Sequence, residues 1–182
     1  MSSFYSKQEL EKIGFKSLGE NVLISKKASI YSPEKIKIGN NVRIDDFCIL
    51  SGNIEIGNYV HISAFVALYG KEGIIINDFC GCSTRCTIYS ASDDFSGEYM
   101  ISPMVPNELT NVIGGKVILE KYVQLGANTV VMPNITIKEG TAVGALSFVN
   151  KELEEWGIYI GIPCRRIKER NKNIIQLSKN IK

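Results

Sequence analysis

A chain of 182 residues with 45% apolar side chains is long enough for one domain with a substantial core. Its 21 Lys and Arg nearly balance 19 Asp and Glu, and the basic side chains are scattered until Arg165–Lys182, so no nucleic-acid-binding face is expected. No apolar run reaches transmembrane length and the opening MSSFYSKQEL lacks an apolar signal segment, so a cytoplasmic protein without membrane insertion is expected. Five cysteines in such a chain read as reduced thiols, and a single histidine, His61, restricts any metal or acid/base scheme.

Residues 1–20 are expected to hold a helical segment, because SKQELEKIGF can cap on Ser6 with Glu9 three residues on. A different pattern follows. Aliphatic residues recur every six positions at Ile38, Ile44, Leu50, Ile56, Ile62 and Leu68, then after a two-residue slip at KEG at Ile76, Cys82 and Ile88. The period resumes at Leu119, Leu125, Val131, Ile137, Val143 and Val149. Two positions before most of these sits a second small or β-branched residue, such as Val42, Cys48, Val66, Cys86 or Thr129. Six fits neither the helical spacing of three and four nor the alternation of one long strand. It fits short strands joined by turns, with three hexads making one triangular coil whose inward side chains stack on the next coil.

The stretch NDFCGCSTRCTIYSASDDFSGEYM, residues 77–100, carries three of the five cysteines. Cys80 and Cys86 fall on the small inward position and Cys82 on the aliphatic one, as Cys48 does on a small position, so all four are expected to pack in the core. No metal is expected, since neither a second ligand pair nor a nearby histidine is present. The period then breaks from about residue 90 to 116, and a long excursion from a regular solenoid is a place for function. His61 faces outward one residue before the inward Ile62, and its equivalent one coil on is Gly81, which leaves open space beside the imidazole. That makes His61 a candidate base or substrate contact. Acidic pairs at Asp45–Asp46 and Asp93–Asp94, together with Tyr89, Ser92 and Glu98, are candidate substrate contacts. Residues 164–182, CRRIKERNKNIIQLSKNIK, are expected to form a basic amphipathic C-terminal helix.

The hexad run, with its [LIV]-G-x4 variants, resembles the hexapeptide-repeat acyltransferases. The resemblance implies an all-β solenoid, a left-handed parallel β-helix over residues 21–163, and a homotrimer with sites between neighbouring helices. IYSASDDFSGEY resembles the IYTAxHP segment of the galactoside and maltose acetyltransferase branch, where the histidine is the catalytic base; here Asp93 takes that place. His61 and Asp93 are therefore the catalytic candidates. The segment from Val123 to Arg170 resembles the family's acyl-CoA end, with Gly161, Pro163, Cys164 and Arg165 matching its closing GxPA[KR] element. That resemblance implies a pantetheine arm along Gly126, Ala127, Gly144 and Ala145, bonding to their amides, with Pro163 in the closing element and Arg165, Arg166 and Lys168 on the nucleotide phosphates. The implied activity is acetyl transfer from acetyl-CoA to a sugar. Loss of the loop histidine favours an amine acceptor on a nucleotide-linked amino-deoxy sugar destined for surface polysaccharide such as lipopolysaccharide, with a sugar hydroxyl as the alternative. A non-catalytic hexapeptide-repeat binding or assembly module is the remaining alternative. A backbone N–H near Gly81 or Gly126 is the expected oxyanion donor.

Overall fold

The computed structural model describes residues 3–181, and the ends of the two terminal segments expected to be helical lie outside them. The hexads fold as short parallel strands stacked in register. One eight-stranded sheet runs through Leu23–Ile24, Arg43–Ile44, His61–Ile62, Gly81–Cys82, Gln124–Leu125 and Ala142–Val143, and a ten-stranded sheet forms the other two faces. Leu50 pairs with Leu68 and Val131 with Val149, whereas Ile88 pairs directly with Val131 across the whole excursion. The coil therefore continues as though the intervening residues were absent. The KEG insertion is absorbed in the long strand Ala67–Ile76, which rounds a corner beside Ile49–Ile56.

Every hexad aliphatic named above is buried, and the second inward position is buried with it. The side chains form continuous columns, so each coil's core surface is covered by its two neighbours. Polar members of the columns are hydrogen-bonded. Thr129 and Ser147 donate to the Gly126 and Gly144 carbonyls at 2.7 Å each, and Thr141 donates to the Glu154 carbonyl at 2.8 Å. The cysteines use the same geometry, with thiol contacts from Cys48 to the Ser63 carbonyl at 3.0 Å, Cys80 to Glu120 at 3.0 Å and Cys86 to Gly126 at 3.1 Å. An inward thiol thus replaces an inward hydroxyl at a corner where a carbonyl faces the core.

The corners set a second requirement. Phe47, Phe65, Arg85, Asn128 and Leu146 lie at φ between 57 and 63°, as do Tyr59, Phe79 and Tyr122 at 56 to 62° on another edge. Left-handed backbone costs a non-glycine residue about 1 kcal/mol or more. Ring stacking offsets it: Tyr59 on Phe79 at 5.0 Å, Phe79 on Tyr122 at 5.3 Å, and Phe47 on Phe65 at 5.0 Å, each worth about 0.5–1.5 kcal/mol beyond burial. Gly39 and Gly57 precede these corners because a Cβ there would meet the next coil at 2.6 to 2.8 Å, where Asn58 and Asp78 place side-chain oxygens to receive a backbone N–H.

Both ends are covered. Helix Lys7–Ile13 carries the expected Ser6–Glu9 capping box and buries Leu10 at the lower end. The C-terminal expectation is corrected: Arg165–Glu169 is a strand antiparallel to Gly157–Ile160, and only Ile174–Ser178 is helical. The last coil would otherwise expose a free edge, and this strand occupies it. Arg170 then donates to the carbonyls of Tyr122 and Gly140 at 2.7 and 3.0 Å, fastening the tail along the stacked-ring edge. Among the described residues no helix is long and apolar enough to cross a membrane, and no group of three or more His, Cys, Asp or Glu side chains gathers as metal ligands.

Burial pushes the Cys48 and Cys86 thiols up to about 11 and Cys80 up to about 12. The folded protein is expected to resist thiol-reactive dyes at pH 8, with all five thiols titrating only after denaturation. Because the neutral thiol is favoured in the fold, this contribution is complete below the unfolded value of 9.0 and is lost as pH rises towards 11–12, which a pH series of melting curves reads directly. Cys86→Thr keeps a donor and is expected to unfold at a similar urea concentration. Cys82→Ser, on the aliphatic column, is expected to cost about 1–3 kcal/mol.

Candidate active site

The excursion is not a free loop. Ala91–Ser92 pairs antiparallel with Ile113–Gly114, so the segment leaves and rejoins the coil through a two-strand neck. Ser90 sets the neck: its hydroxyl donates to the Tyr69 carbonyl at 3.0 Å and receives the Glu72 N–H at 2.8 Å. The folded-back excursion and the ten-stranded sheet enclose a hollow of about 910 Å³, with Tyr69, Lys71, Tyr89, Ser92, Asp93 and Phe95 in its wall. Tyr69 and Tyr89 stack one coil apart at 5.3 Å with 11° between their planes. An aromatic wall, one carboxylate and one ammonium face the same space.

The structure brings Tyr89, Ser92 and Asp93 together there and separates them from the other predicted residues. Asp94 turns away into its own loop, receiving the Ser96 N–H at 2.7 Å and hydroxyl at 2.6 Å, bonds that hold its carboxyl below the usual range. Glu98 is exposed on the same loop, its N–H bonded to Ser96. Tyr69 and Lys71 escaped the sequence reading, since KEG registered only as an interruption of the period; their signal was its position, one coil before the excursion.

His61 lies on the eight-stranded sheet, half exposed, opposite Gly81 as its spacing implies. Its Nε2 is 2.8 Å from Asp45 Oδ2, and Arg43 Nε donates to Asp45 Oδ1 at 2.7 Å. Burial alone would raise the Asp45 carboxyl, but the His61 and Arg43 bonds outweigh it and hold it below its ordinary value. Asp46 is engaged by the Ser25 hydroxyl and by Lys27 at 2.9 Å. The acidic pair at 45–46 is therefore spent on neighbouring side chains of its own coils.

One coil above His61 the side chain of Gln124 lies across bare Gly81, where a Cβ would meet its Oε1 at 2.5 Å. Gln124 Nε2 donates to the Ser83 hydroxyl at 3.2 Å. The expected oxyanion donors are corrected: the Gly81 and Gly126 N–H groups bond the carbonyls of Val123 and Val143 at 3.0 and 2.7 Å. Gly144 N–H is likewise bonded, to Tyr159 at 2.8 Å, so neither Gly126 nor Gly144 offers its amide to a pantetheine arm. Both glycines are required by packing, since a Cβ would meet the next coil at 2.5 Å. Ala127 is half-buried and Ala145 exposed on the same edge.

Arg165, Arg166 and Lys168 all point from the closing strand and are exposed. Arg166 is occupied by both Glu169 oxygens at 2.8 Å, whereas Arg165 and Lys168 are in no ion pair among the described residues. Pro163 follows a cis peptide bond, and Cys164 beside it is buried, its thiol raised by desolvation.

Residues 35–70 match the bacterial transferase hexapeptide (six repeats) family. An acyltransferase of dTDP-4-amino-4,6-dideoxy-D-glucose from Escherichia coli is 45% identical over 172 residues, 93% of this chain and 90% of that protein. AntD, an N-acyltransferase from Bacillus cereus, superposes with a TM-score of 0.97 at 56% identity, covering 98% of this chain and 96% of that one. It was solved with dTDP and 3-hydroxybutyryl-CoA, and forms that replace one serine or one aspartate ten positions on were solved with coenzyme A and either dTDP or the dTDP-linked amino sugar. A Vibrio cholerae hexapeptide-repeat acetyltransferase shares the fold alone, at a TM-score of 0.61 and 19% identity. Stacked hexad coils, a neck-bound excursion over an aromatic hollow and these full-length likenesses together place the chain in the hexapeptide-repeat sugar acyltransferases, enzymes built on the left-handed parallel β-helix that use CoA thioesters.

Proposed function

We propose that the protein transfers a short acyl group, acetyl or a close homologue, from its CoA thioester to the amine of a dTDP-linked 4-amino-4,6-dideoxy sugar, N-acylation in preference to O-acylation. The observation that carries this is the hollow's single carboxylate, Asp93, set among aromatic side chains with no histidine in its wall. A hydroxyl acceptor needs a base as it attacks; an amine carries its own lone pair and needs an acceptor for its N–H and a fixed direction. Asp93 supplies both.

The two substituted residues of AntD support the assignment. Ser83 and Asp93 are the one Ser–Asp pair at ten-residue spacing in this chain. Ser83 fills the place left by the engaged glycine amides. Gln124 donates to its oxygen, so the hydroxyl hydrogen is free to point at the oxyanion formed as the amine nitrogen bonds the thioester carbon. Collapse breaks the C–S bond, the CoA thiolate leaves, and the nitrogen's surplus proton ends on sulfur; the products are the amide and free CoA. In this reading His61 stays paired with Asp45 and takes no proton.

Ser83 follows the strand Gly81–Cys82 of the eight-stranded sheet, whereas Asp93 lines a hollow on the ten-stranded sheet. We read the working site as one copy's Ser83 facing a second copy's Asp93 in a homotrimer, with the pantetheine arm along Ala127 and Ala145 and the nucleotide phosphates of CoA near Arg165 and Lys168. Fully buried thiols suit a reducing cytoplasm, where surface-polysaccharide precursors carrying such sugars are assembled.

Thiol release from acetyl-CoA should require the amino sugar nucleotide and fail with its 4-hydroxy counterpart; turnover on the hydroxyl sugar alone would refute N-acylation. Ser83→Ala is expected to lower kcat by about a hundredfold, Asp93→Asn by a similar factor, and His61→Asn by less than about threefold. Mixing the two inactive variants tests the shared site: hybrid trimers should recover activity at about a quarter of their sites, and no recovery would confine the site to one chain.

A further inference from the structure

A second hollow of about 640 Å³ adjoins the acceptor hollow, sharing Tyr69 and Lys71 with it and extending towards the N-terminal coils. Three lysines, Lys16, Lys35 and Lys71, line it together with Ser32, Ser51 and Asn53. No carboxylate is part of its wall. Two acids adjoin the wall along the chain: Glu34, exposed beside Lys35, and Glu72, whose side chain lies over Gly114. Among the described residues none of the three lysines is in an ion pair, whereas Lys37 pairs with Glu55 beside another hollow. The floor is bare backbone. Gly52 pairs with Gly70, and a Cβ on either would strike the facing chain at 2.6 to 2.7 Å, so no side chain can rise between the lysines and the floor.

We propose that this hollow is the diphosphate subsite of the acceptor: the amino sugar occupies the space at Asp93, and the diphosphate lies between Lys71, Lys35 and Lys16. The inference rests on the nucleotide-sugar reading above and adds where the nucleotide lies and which way it points. Lys71 is the hinge of the arrangement because it borders both spaces. Tyr69, stacked on Tyr89 of the acceptor hollow, is the other shared residue, and lysines free of ion pairs beside serines on bare backbone suit two adjacent phosphates with several acceptor oxygens. The CoA phosphates are assigned above to Arg165 and Lys168 on the closing strand, neither of which lines this hollow, so the two anionic substrates should separate cleanly.

Calorimetric titration of dTDP, dTMP and CoA into the intact protein tests this. The native protein is expected to bind dTDP more tightly than dTMP. Lys71→Met is expected to weaken dTDP about tenfold, and Lys16→Met with Lys35→Met to do the same while narrowing the gap between dTDP and dTMP, CoA affinity and melting temperature staying constant throughout. In the steady state KM for the nucleotide sugar should rise with kcat nearly unchanged. Unaltered dTDP affinity in folded variants overturns the subsite and leaves the acceptor reading intact, because the native protein still binds dTDP. Weakened CoA binding instead would give the hollow to the donor and overturn the proposal. A native protein that binds no dTDP overturns both.

Discussion

Each coil of this protein is built on one constraint: the strand N–H groups of one coil are satisfied by the carbonyls of the next, so that Arg43 pairs with His61, His61 with Gly81 beyond the KEG slip, and Gly81 with Gln124 beyond the excursion. That ladder fixes where side chains can point, which corners must adopt left-handed backbone, and where extra residues can be admitted. It also explains how a long excursion is tolerated. Ile88 and Val131 meet as strand partners, so the insertion costs the solenoid no core contact and needs only a neck, supplied by two antiparallel residue pairs and the Ser90 hydroxyl. Loop closure is inexpensive when both ends are already held by neighbouring coils.

The same ladder shapes the chemistry. A parallel solenoid has few backbone donors to offer a ligand, since Gly81, Gly126 and Gly144 all give their N–H groups to the adjacent coil. Reactive groups must come from side chains at the corners or from residues outside the ladder. Of the two residues in the proposed reaction, Ser83 belongs to the first kind, with its hydroxyl receiving a hydrogen bond from Gln124 across a bare glycine, and Asp93 to the second. The spacing that keeps coils rigid thus gives fixed positions to groups that need them and pushes adaptable recognition into the excursion.

Periodicity made the core legible, down to the inward cysteines, because a column position is decided by residues six and eighteen away and by nothing else. His61 opposite Gly81 was legible for the same reason. The C-terminal strand was not: its basic amphipathic pattern suits a helix, and only the exposed edge of the last coil, a feature of the assembled solenoid, draws it into antiparallel pairing. Asp45 and Asp46 looked available because sequence shows charge and not partners; the groups that occupy them, Arg43, His61, Ser25 and Lys27, lie on the same coil or on the coils either side of it. Ser83 was hidden by its company, one residue past a core cysteine in a stretch whose every neighbour was absorbed by packing.

Dividing the chemistry between a corner serine and an excursion aspartate has a physical rationale in the proposed assembly. In that proposal the donor thioester lies along a rigid edge, so its carbonyl carbon is fixed by the ladder, whereas the acceptor's nucleotide and sugar need a wall that can be varied without disturbing a column. Bringing the two surfaces together at a boundary between copies aligns an amine and a carbonyl by the packing of whole solenoids, a far stiffer reference than a loop. Proximity then supplies much of the rate, since the amine needs orientation more than deprotonation. A chain with no histidine in its excursion can therefore work as an acyltransferase, provided that its acceptor is a nitrogen.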